Sequence, residues 1–386
     1  MATKQFKDIS PYKRTIGTPS EDYLYSKYET DLAAKVTTSV NVTNVAIFGI
    51  GRAGTIHLSS LARNPRAQIL YIVDDIVEKH KRLQDYWSLH DTKFLTSKES
   101  DVIFSDPKVH AVVVATPTFA HEHIVKSALN AKKAVFCEKP LAQERNVCIE
   151  LYKLSKEVGK PLLTAFNRRF DPSFSNIRDR VHKGEVGHVQ TIKCCNRDSP
   201  IPSFGYIKTS VGIYHDCCIH DIDTLCWVLG EFPTKVSSMG YTHVEELKAI
   251  DDFDTVSVTL LYPSGTIGMI ELSRNSCYGY DQRLEVFGPR GMIRADNEQP
   301  IHCIDSQIGL TGIKTAPIWY SYPSRYHVAY QAEMEHFFDL VEGKANEPFI
   351  KGHEILAVNK IAAAAEESAR TGKFIDLTWT KDDFEI

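Results

Sequence analysis

The sequence predicts an α/β chain: a doubly wound parallel sheet, then an α+β region whose large, mostly antiparallel sheet is open on one face. Three observations predict it. A glycine-rich turn lies between an apolar strand and an amphipathic helix at 45–61. Strand and helix alternate from there to about residue 168. From about Asp171 the rhythm becomes strands joined by hairpin-type turns. At 386 residues the chain exceeds the usual size of one domain. It divides into an extension at 1–43, a parallel-sheet domain at 44–168 and an α+β domain at 169–386.

The first strand is the apolar, β-branched run Val45-Ala46-Ile47-Phe48. Gly49-Ile50-Gly51-Arg52-Ala53-Gly54 follows, a complete G-x-G-x-x-G, and then a helix with Ile56, Leu58 and Leu61 on one side. Gly49 allows a tight turn, Gly51 lets a pyrophosphate approach the backbone, and Gly54 lets helix and strand pack closely. The helix N-terminus offers free N–H groups to phosphates. A second strand, Gln68 to Val73, ends in Asp74, whose carboxylate is placed to accept from the ribose hydroxyls. This is a Rossmann dinucleotide-binding domain. A 2′-phosphate would face Asp74 and Asp75 with no Arg directly after them, so NAD is favoured over NADP.

The next elements follow in order. A helical pattern runs from Ile76 to Trp87, and a short amphipathic piece from Glu99 to Phe104. The apolar strand His110 to Ala115 ends in Thr116-Pro117-Thr118, with His121 a turn later. A helix at 120–130 leads to the strand Ala134 to Cys137, which ends in Glu138-Lys139-Pro140. A helix at 143–157 precedes the strand Leu162 to Phe166, which ends in Asn167-Arg168-Arg169. In such sheets ligands bind at the carboxyl ends of strands, where these groups lie. Beyond lie a helix at 173–183 and strands at 189–194, 255–262, 266–273 and 283–287. Turns at Pro263-Ser264-Gly265 and Gly288-Pro289-Arg290-Gly291, and helices at 326–342 and 353–370, complete the chain.

Composition excludes some partners. Lys plus Arg is 45 against Asp plus Glu 49, a net of −4, which argues against a nucleic-acid or anionic-membrane surface. No run has the length of a transmembrane helix. The nine cysteines include the pairs Cys194-Cys195 and Cys217-Cys218, but no C-x-x-C and no His/Cys cluster at zinc spacing. An odd count without a framework suits reduced thiols in a cytoplasmic protein, so no metal and no disulfide are expected. The polar first 43 residues lack a secretory apolar core, and their acids do not suit a mitochondrial presequence.

A dinucleotide domain needs a substrate for hydride exchange. The segment Tyr214-His215-Asp216-Cys217-Cys218-Ile219-His220-Asp221-Ile222-Asp223 offers one arrangement. If it is helical, Asp216 and His220 share a face at i,i+4, and an imidazole oriented by a carboxylate can take an alcohol's proton. The same residues also read as a helix N-terminus with capping acids and a satisfied histidine. Lys139, at a ligand-facing strand end, could stabilise a developing alkoxide. Tyr278-Gly279-Tyr280-Asp281 adds polar rings.

These motifs together resemble the Gfo/Idh/MocA oxidoreductases, from about Asn44 to the C-terminus. They are GIGRAG with His57, ATPTFAH at 115–121, EKPLA at 138–142, FNRRFDP at 166–172 and the Asp216…His220 pair. NRDSPIPSFGYIKTS at 196–210, YHDCCIHDID at 214–223 and YGYDQRLEVFG at 278–288 resemble the family's inositol-dehydrogenase forms. The resemblance implies NAD-dependent oxidation of a cyclic polyol, myo-inositol first. Scyllo-inositol, another cyclitol or a sugar such as glucose, possibly with NADP, are alternatives, as is a non-catalytic NAD-binding protein. It implies Lys139, Asp216 and His220 as catalytic, with His220 the general base and Asp216 orienting its ring. It further implies Arg168 or Arg169, Asp198 and Tyr280 in the polyol pocket, and Thr116, Pro117, His121, Glu138 and Asn167 around the nicotinamide. A cis bond before Pro140 and a homodimer or homotetramer packed through the open sheet face are also implied. Three departures touch the pocket wall: Arg197-Asp198-Ser199 for R-D-P, Val211-Gly212 for Gly-Gly, and Cys217-Cys218 for Met-Thr.

Overall fold

The structure is a computed structural model that describes residues 41–301, 304–310 and 312–384. The expected extension at 1–43 therefore lies almost wholly outside the described residues. The first sheet is formed by β1 (Thr43–Phe48), β2 (Ala67–Val73), β3 (Lys93–Leu95), β4 (Ala111–Val114), β5 (Ala134–Cys137) and β6 (Leu162–Thr164). All are parallel, in the order β3-β2-β1-β4-β5-β6. Every residue of β4 and β5 is buried, because helices cover both faces, and this is why those strands are apolar without alternation. The helices are α1 (Arg52–Ala62), α2 (Glu78–Trp87), α3 (Asp101–Ser105), α4 (His121–Asn130) and α5 (Arg145–Val158). Strand order reverses between β1 and β4, which opens a crevice at their carboxyl ends.

The second sheet follows α6 (Pro172–His182), whose N-cap Asp171 accepts from the Ser173 and Phe174 amides. Its strands are β7 (Thr191–Arg197), β8 (Lys235–Tyr241), β9 (Thr255–Leu261), β10 (Ile267–Ser273), β11 (Asp281–Gly288) and β12 (Gly291–Ala295). A small hairpin of β13 (Asp305–Ser306) and β14 (Lys314–Thr315) stands apart, and β15 (Ile375–Asp376) pairs with β8. The order is β12-β11-β7-β10-β9-β8-β15. Pairing is antiparallel except between β7 and β10, which run parallel. Burial alternates strictly along β9, so one face meets the core and the other is open. Met239, Tyr241, Leu261, Ile267, Phe287 and Met292 are exposed on these strands.

Three further helices are short: α7 (Phe204–Thr209), α9 (Glu245–Lys248) and α10 (Tyr322–Arg325). The long ones are α8 (Ile219–Leu229), α11 (His327–Val341) and α12 (Gly352–Thr371). Helix α8 is buried almost all round, and Gly230, at φ 75°, ends it in the left-handed conformation that glycine adopts without strain. Strands β8 and β12 lie outside the expected set. Lys235–Tyr241 carries Ser and Gly where a strand signal needs branched residues, and Gly291 sits in a turn motif that conceals the strand after it. No helix among the described residues is long and apolar enough to cross a membrane.

Candidate active site

The carboxyl end of β1 turns at Gly49, with φ +86°, where a Cβ would lie 2.7 Å from the Ala115 carbonyl oxygen. A Cβ on Gly54 would lie 1.9 Å from Gly49 O, so both glycines are fixed by backbone contact. A Cβ on Gly51 meets nothing within 4 Å, which leaves an open cradle. Gly51 is the N-cap of α1 and no side chain caps that helix, so its first N–H groups face the cradle. Asp74 Oδ2 accepts from the Ile50 amide at 2.8 Å, and Oδ1 from the Ile76 amide at 2.9 Å. The carboxylate thus braces the loop from the tip of β2. These features fit a pyrophosphate and its ribose.

One cavity runs from this cradle to the second sheet. Gly51, Arg52, Ala53, Thr116, Pro117, Glu138, Lys139, Asn167, Arg168, Asp198, Asp216, His220 and Tyr280 all line it, so most of the expected site residues meet there. Thr116 Oγ1, His220 Nδ1 and Tyr326 Oη, on lining residues, are buried without a hydrogen-bond partner among the described residues. Buried polar atoms normally find partners, so these three stand out among the cavity's lining residues. His121 is buried behind the cavity. Its Nε2 lies 2.8 Å from Thr116 O and its Nδ1 2.9 Å from Pro140 O, which ties the ends of β4 and β5 together. Glu138 stands 2.7 Å from His57 Nε2 and accepts from the Lys139 amide. The Lys139–Pro140 bond is cis, as expected.

The charged centre is a carboxylate held by three cations or hydroxyls. Lys139 Nζ donates to Asp216 Oδ1 at 3.0 Å and to its carbonyl at 2.5 Å. Tyr206 Oη donates to the same Oδ1 at 2.8 Å. Arg274 Nη1 reaches Oδ2 at 3.4 Å, and its Nη2 bonds Asp252 at 2.9 Å. Burial raises the Asp216 carboxyl, but Lys139 and Arg274 outweigh it and bring its pKa to about 2. Burial likewise depresses the Lys139 ammonium, and Asp216 more than restores it, above the ordinary value. The pair is therefore ionised throughout the neutral range.

His220 departs from the expected pairing. No hydrogen bond joins it to Asp216 among the described residues. Tyr214–Cys218 is a single π-helical turn, which widens the backbone just before α8 and breaks the i,i+4 alignment. The ring instead meets Phe166 edge-on, with centroids 5.6 Å apart. Burial, then Lys139 and Arg168, hold its pKa well below the ordinary imidazole value. The shift keeps the imidazole neutral at neutral pH.

The two adjacent arginines separate. Arg168 lines the cavity, pairs with Asp221 through Nη1 and reaches Tyr280 Oη at 3.3 Å. Arg169 does not line it. Its guanidinium forks onto Asp223 at 2.7 and 2.9 Å and bonds Glu354 at 2.8 Å, which ties β6 to α8 and α12. Of the two alternatives, Arg168 or Arg169, it is Arg168 that reaches the cavity: consecutive residues of a 3₁₀ turn point in different directions. Asp198 lines the cavity with Oδ1 bonded to the Ser199 amide, and burial pushes its carboxyl up against the pull of Arg52. Arg274 and Tyr206 escaped sequence reasoning. The signal for Arg274 was its place just after β10, at a strand end like the others.

A model of an oxidoreductase family with an NAD-binding Rossmann fold matches residues 43–166, and a GFO/IDH/MocA C-terminal domain model matches 174–294. The chain is 33% identical to a myo-inositol 2-dehydrogenase of Thermotoga maritima, over 86% of this chain and 98% of that protein. It is 31% identical to a scyllo-inositol 2-dehydrogenase (NAD(+)) of Bacillus subtilis, over 86% and 95%. A crystal structure of a myo-inositol dehydrogenase from Corynebacterium glutamicum superposes with a TM-score of 0.78 at 29% identity, covering 88% of this chain and 100% of that one.

Proposed function

Because the chain belongs to the Gfo/Idh/MocA family of NAD-dependent oxidoreductases acting on CH–OH groups, we propose that it oxidises a ring hydroxyl of a cyclic polyol, myo-inositol first, to the ketone. The observation that carries this reading is the ionised Lys139–Asp216 pair beside a neutral His220, all in one cavity with the glycine cradle. NAD, when bound, would supply the acceptor for the hydride leaving the carbinol carbon. Gly51, Arg52 and Ala53 hold its phosphates, Asp74 its ribose, and Thr116, Pro117, Glu138 and Asn167 its other half. His220 Nε2 takes the hydroxyl proton. Lys139 donates to the same oxygen and stabilises its alkoxide character. Asp216 holds that ammonium in place rather than orienting the imidazole. Arg168, Asp198 and Tyr280 bind the remaining hydroxyls.

Scyllo-inositol is the second reading, favoured by the likeness to the scyllo-inositol enzyme at nearly the same identity. The exposed apolar side chains on the open sheet face support a homo-oligomer assembled through it. The deciding experiment follows NADH formation by purified protein with myo-inositol, scyllo-inositol and glucose, each with NAD and with NADP. Fastest turnover of myo-inositol with NAD is expected, and turnover of glucose alone would remove the cyclitol reading.

A further inference from the structure

Tyr206 joins the two halves of the site. It lies on α7, whose N-cap Ser203 accepts from its amide. Its hydroxyl donates at 2.8 Å to Asp216 Oδ1, the oxygen that also accepts from Lys139 Nζ. Its ring faces the guanidinium of Arg52, which opens α1 behind the glycine cradle, with Cζ 5.7 Å from the ring centroid. Tyr322 meets the same guanidinium at 5.0 Å. Both distances are within the range where a cation is drawn to an aromatic face. Tyr206 is 41% exposed, so packing into the core is not what holds it there. Its side chain thus reaches one residue of the cofactor loop and one of the charged centre.

We infer that Tyr206 is a positioning residue that couples cofactor to substrate: its hydroxyl sets the Asp216 carboxylate against Lys139, and its ring sets Arg52 at the start of α1. The inference rests on the part given above to Lys139 and Asp216. It predicts that NADH and polyol strengthen each other's binding, by the same factor in either direction.

The test uses the full chain, its Tyr206→Phe and Tyr206→Leu variants, and the polyol that the wild type turns over fastest. NADH affinity is read by fluorescence with and without that polyol, alongside kcat, KM and the unfolding midpoint. Tyr206→Phe keeps the ring and should bind NADH as the wild type does. It should lose about 10- to 100-fold in kcat/KM, mostly in kcat, as expected for a hydrogen bond to a charged group. Tyr206→Leu should lose as much, bind NADH roughly fivefold more weakly, and show no mutual strengthening. Midpoints should stay at the wild-type value. Wild-type kcat/KM in Tyr206→Phe, or wild-type NADH affinity in Tyr206→Leu, overturns the inference. So does an equal fall of midpoint and activity in both variants, which is the mark of a purely structural residue. If the wild type turns over no polyol, the polyol reading fails, and the NADH affinity of Tyr206→Leu alone decides for or against Tyr206.

Discussion

The two ends of the cavity are built by opposite means. At the cofactor end the decisive groups are backbone: Gly49 and Gly54 touch carbonyl oxygens, Gly51 leaves space, and Asp74 bonds amides. All lie within 26 residues of chain. At the other end they are side chains from 139, 168, 198, 206, 216, 220, 274 and 280, drawn from strand ends of both sheets and from the helical turns at 204–209 and 214–229. A backbone site tolerates no Cβ but asks little of distant residues. A side-chain site depends on charge balance among groups far apart in sequence.

Five substitutions sharpen that contrast. His220→Ala should cost about 10²–10⁴ in kcat while leaving NADH affinity intact, since a general base acts on the proton and not on the cofactor. On the proposed mechanism the same residue should set the acid limb of kcat/KM. The base must be unprotonated, and its pKa lies below the ordinary 6.5, so activity should stay level as pH falls past 6.5 and decline only below it. A limb centred at or above 6.5 would count against His220. Arg169→Met breaks a buried ion pair and should lower stability by about 3–5 kcal/mol in denaturant unfolding. The fraction that remains folded should keep its KM, whereas Arg168→Met should raise it; equal KM changes would erase the distinction between the two arginines.

Gly54→Ala should weaken NADH binding by about 10- to 100-fold, the cost of forcing a methyl against fixed backbone. Unchanged binding would show that the loop yields. Asp74→Ser should have the smallest effect, shifting the NAD-to-NADP ratio of kcat/KM by roughly tenfold, the worth of a hydrogen bond to charge. Because Asp74 also accepts from Ile50 and Ile76, part of the loss should appear as weaker binding of both cofactors.

The same contrast explains what was legible in the sequence. The cofactor end could be read from one stretch, because its glycines and Asp74 lie within 26 residues of one another. The first sheet followed from its apolar runs. On the substrate side, Lys139, Arg168 and Asp198 were found through strand ends and motif likeness, and all reach the cavity. Pair geometry was not readable. Asp216 and His220 stand four apart, but a π turn between them redirects the carboxylate to Lys139, Tyr206 and Arg274. Nothing local in Arg168-Arg169 says which one turns to the cavity; Asp221, Asp223 and Glu354 decide that from other elements. Cys217, next to Asp216, lines the cavity and lends a weak contact to that carboxylate.

That contact completes an inventory. A carboxylate has about four lone-pair sites. In Asp216 they meet Lys139 Nζ and Tyr206 Oη on one oxygen, and Arg274 Nη1 and Cys217 Sγ on the other. Asp216 therefore has no acceptor capacity left for a polyol's O–H groups. Asp198, whose carboxylate among the described residues takes only the Ser199 amide, does. Discrimination between cyclitol epimers should then fall on the orientation of hydroxyls toward Asp198, and a search for altered stereoselectivity should begin there rather than at the more heavily charged residue.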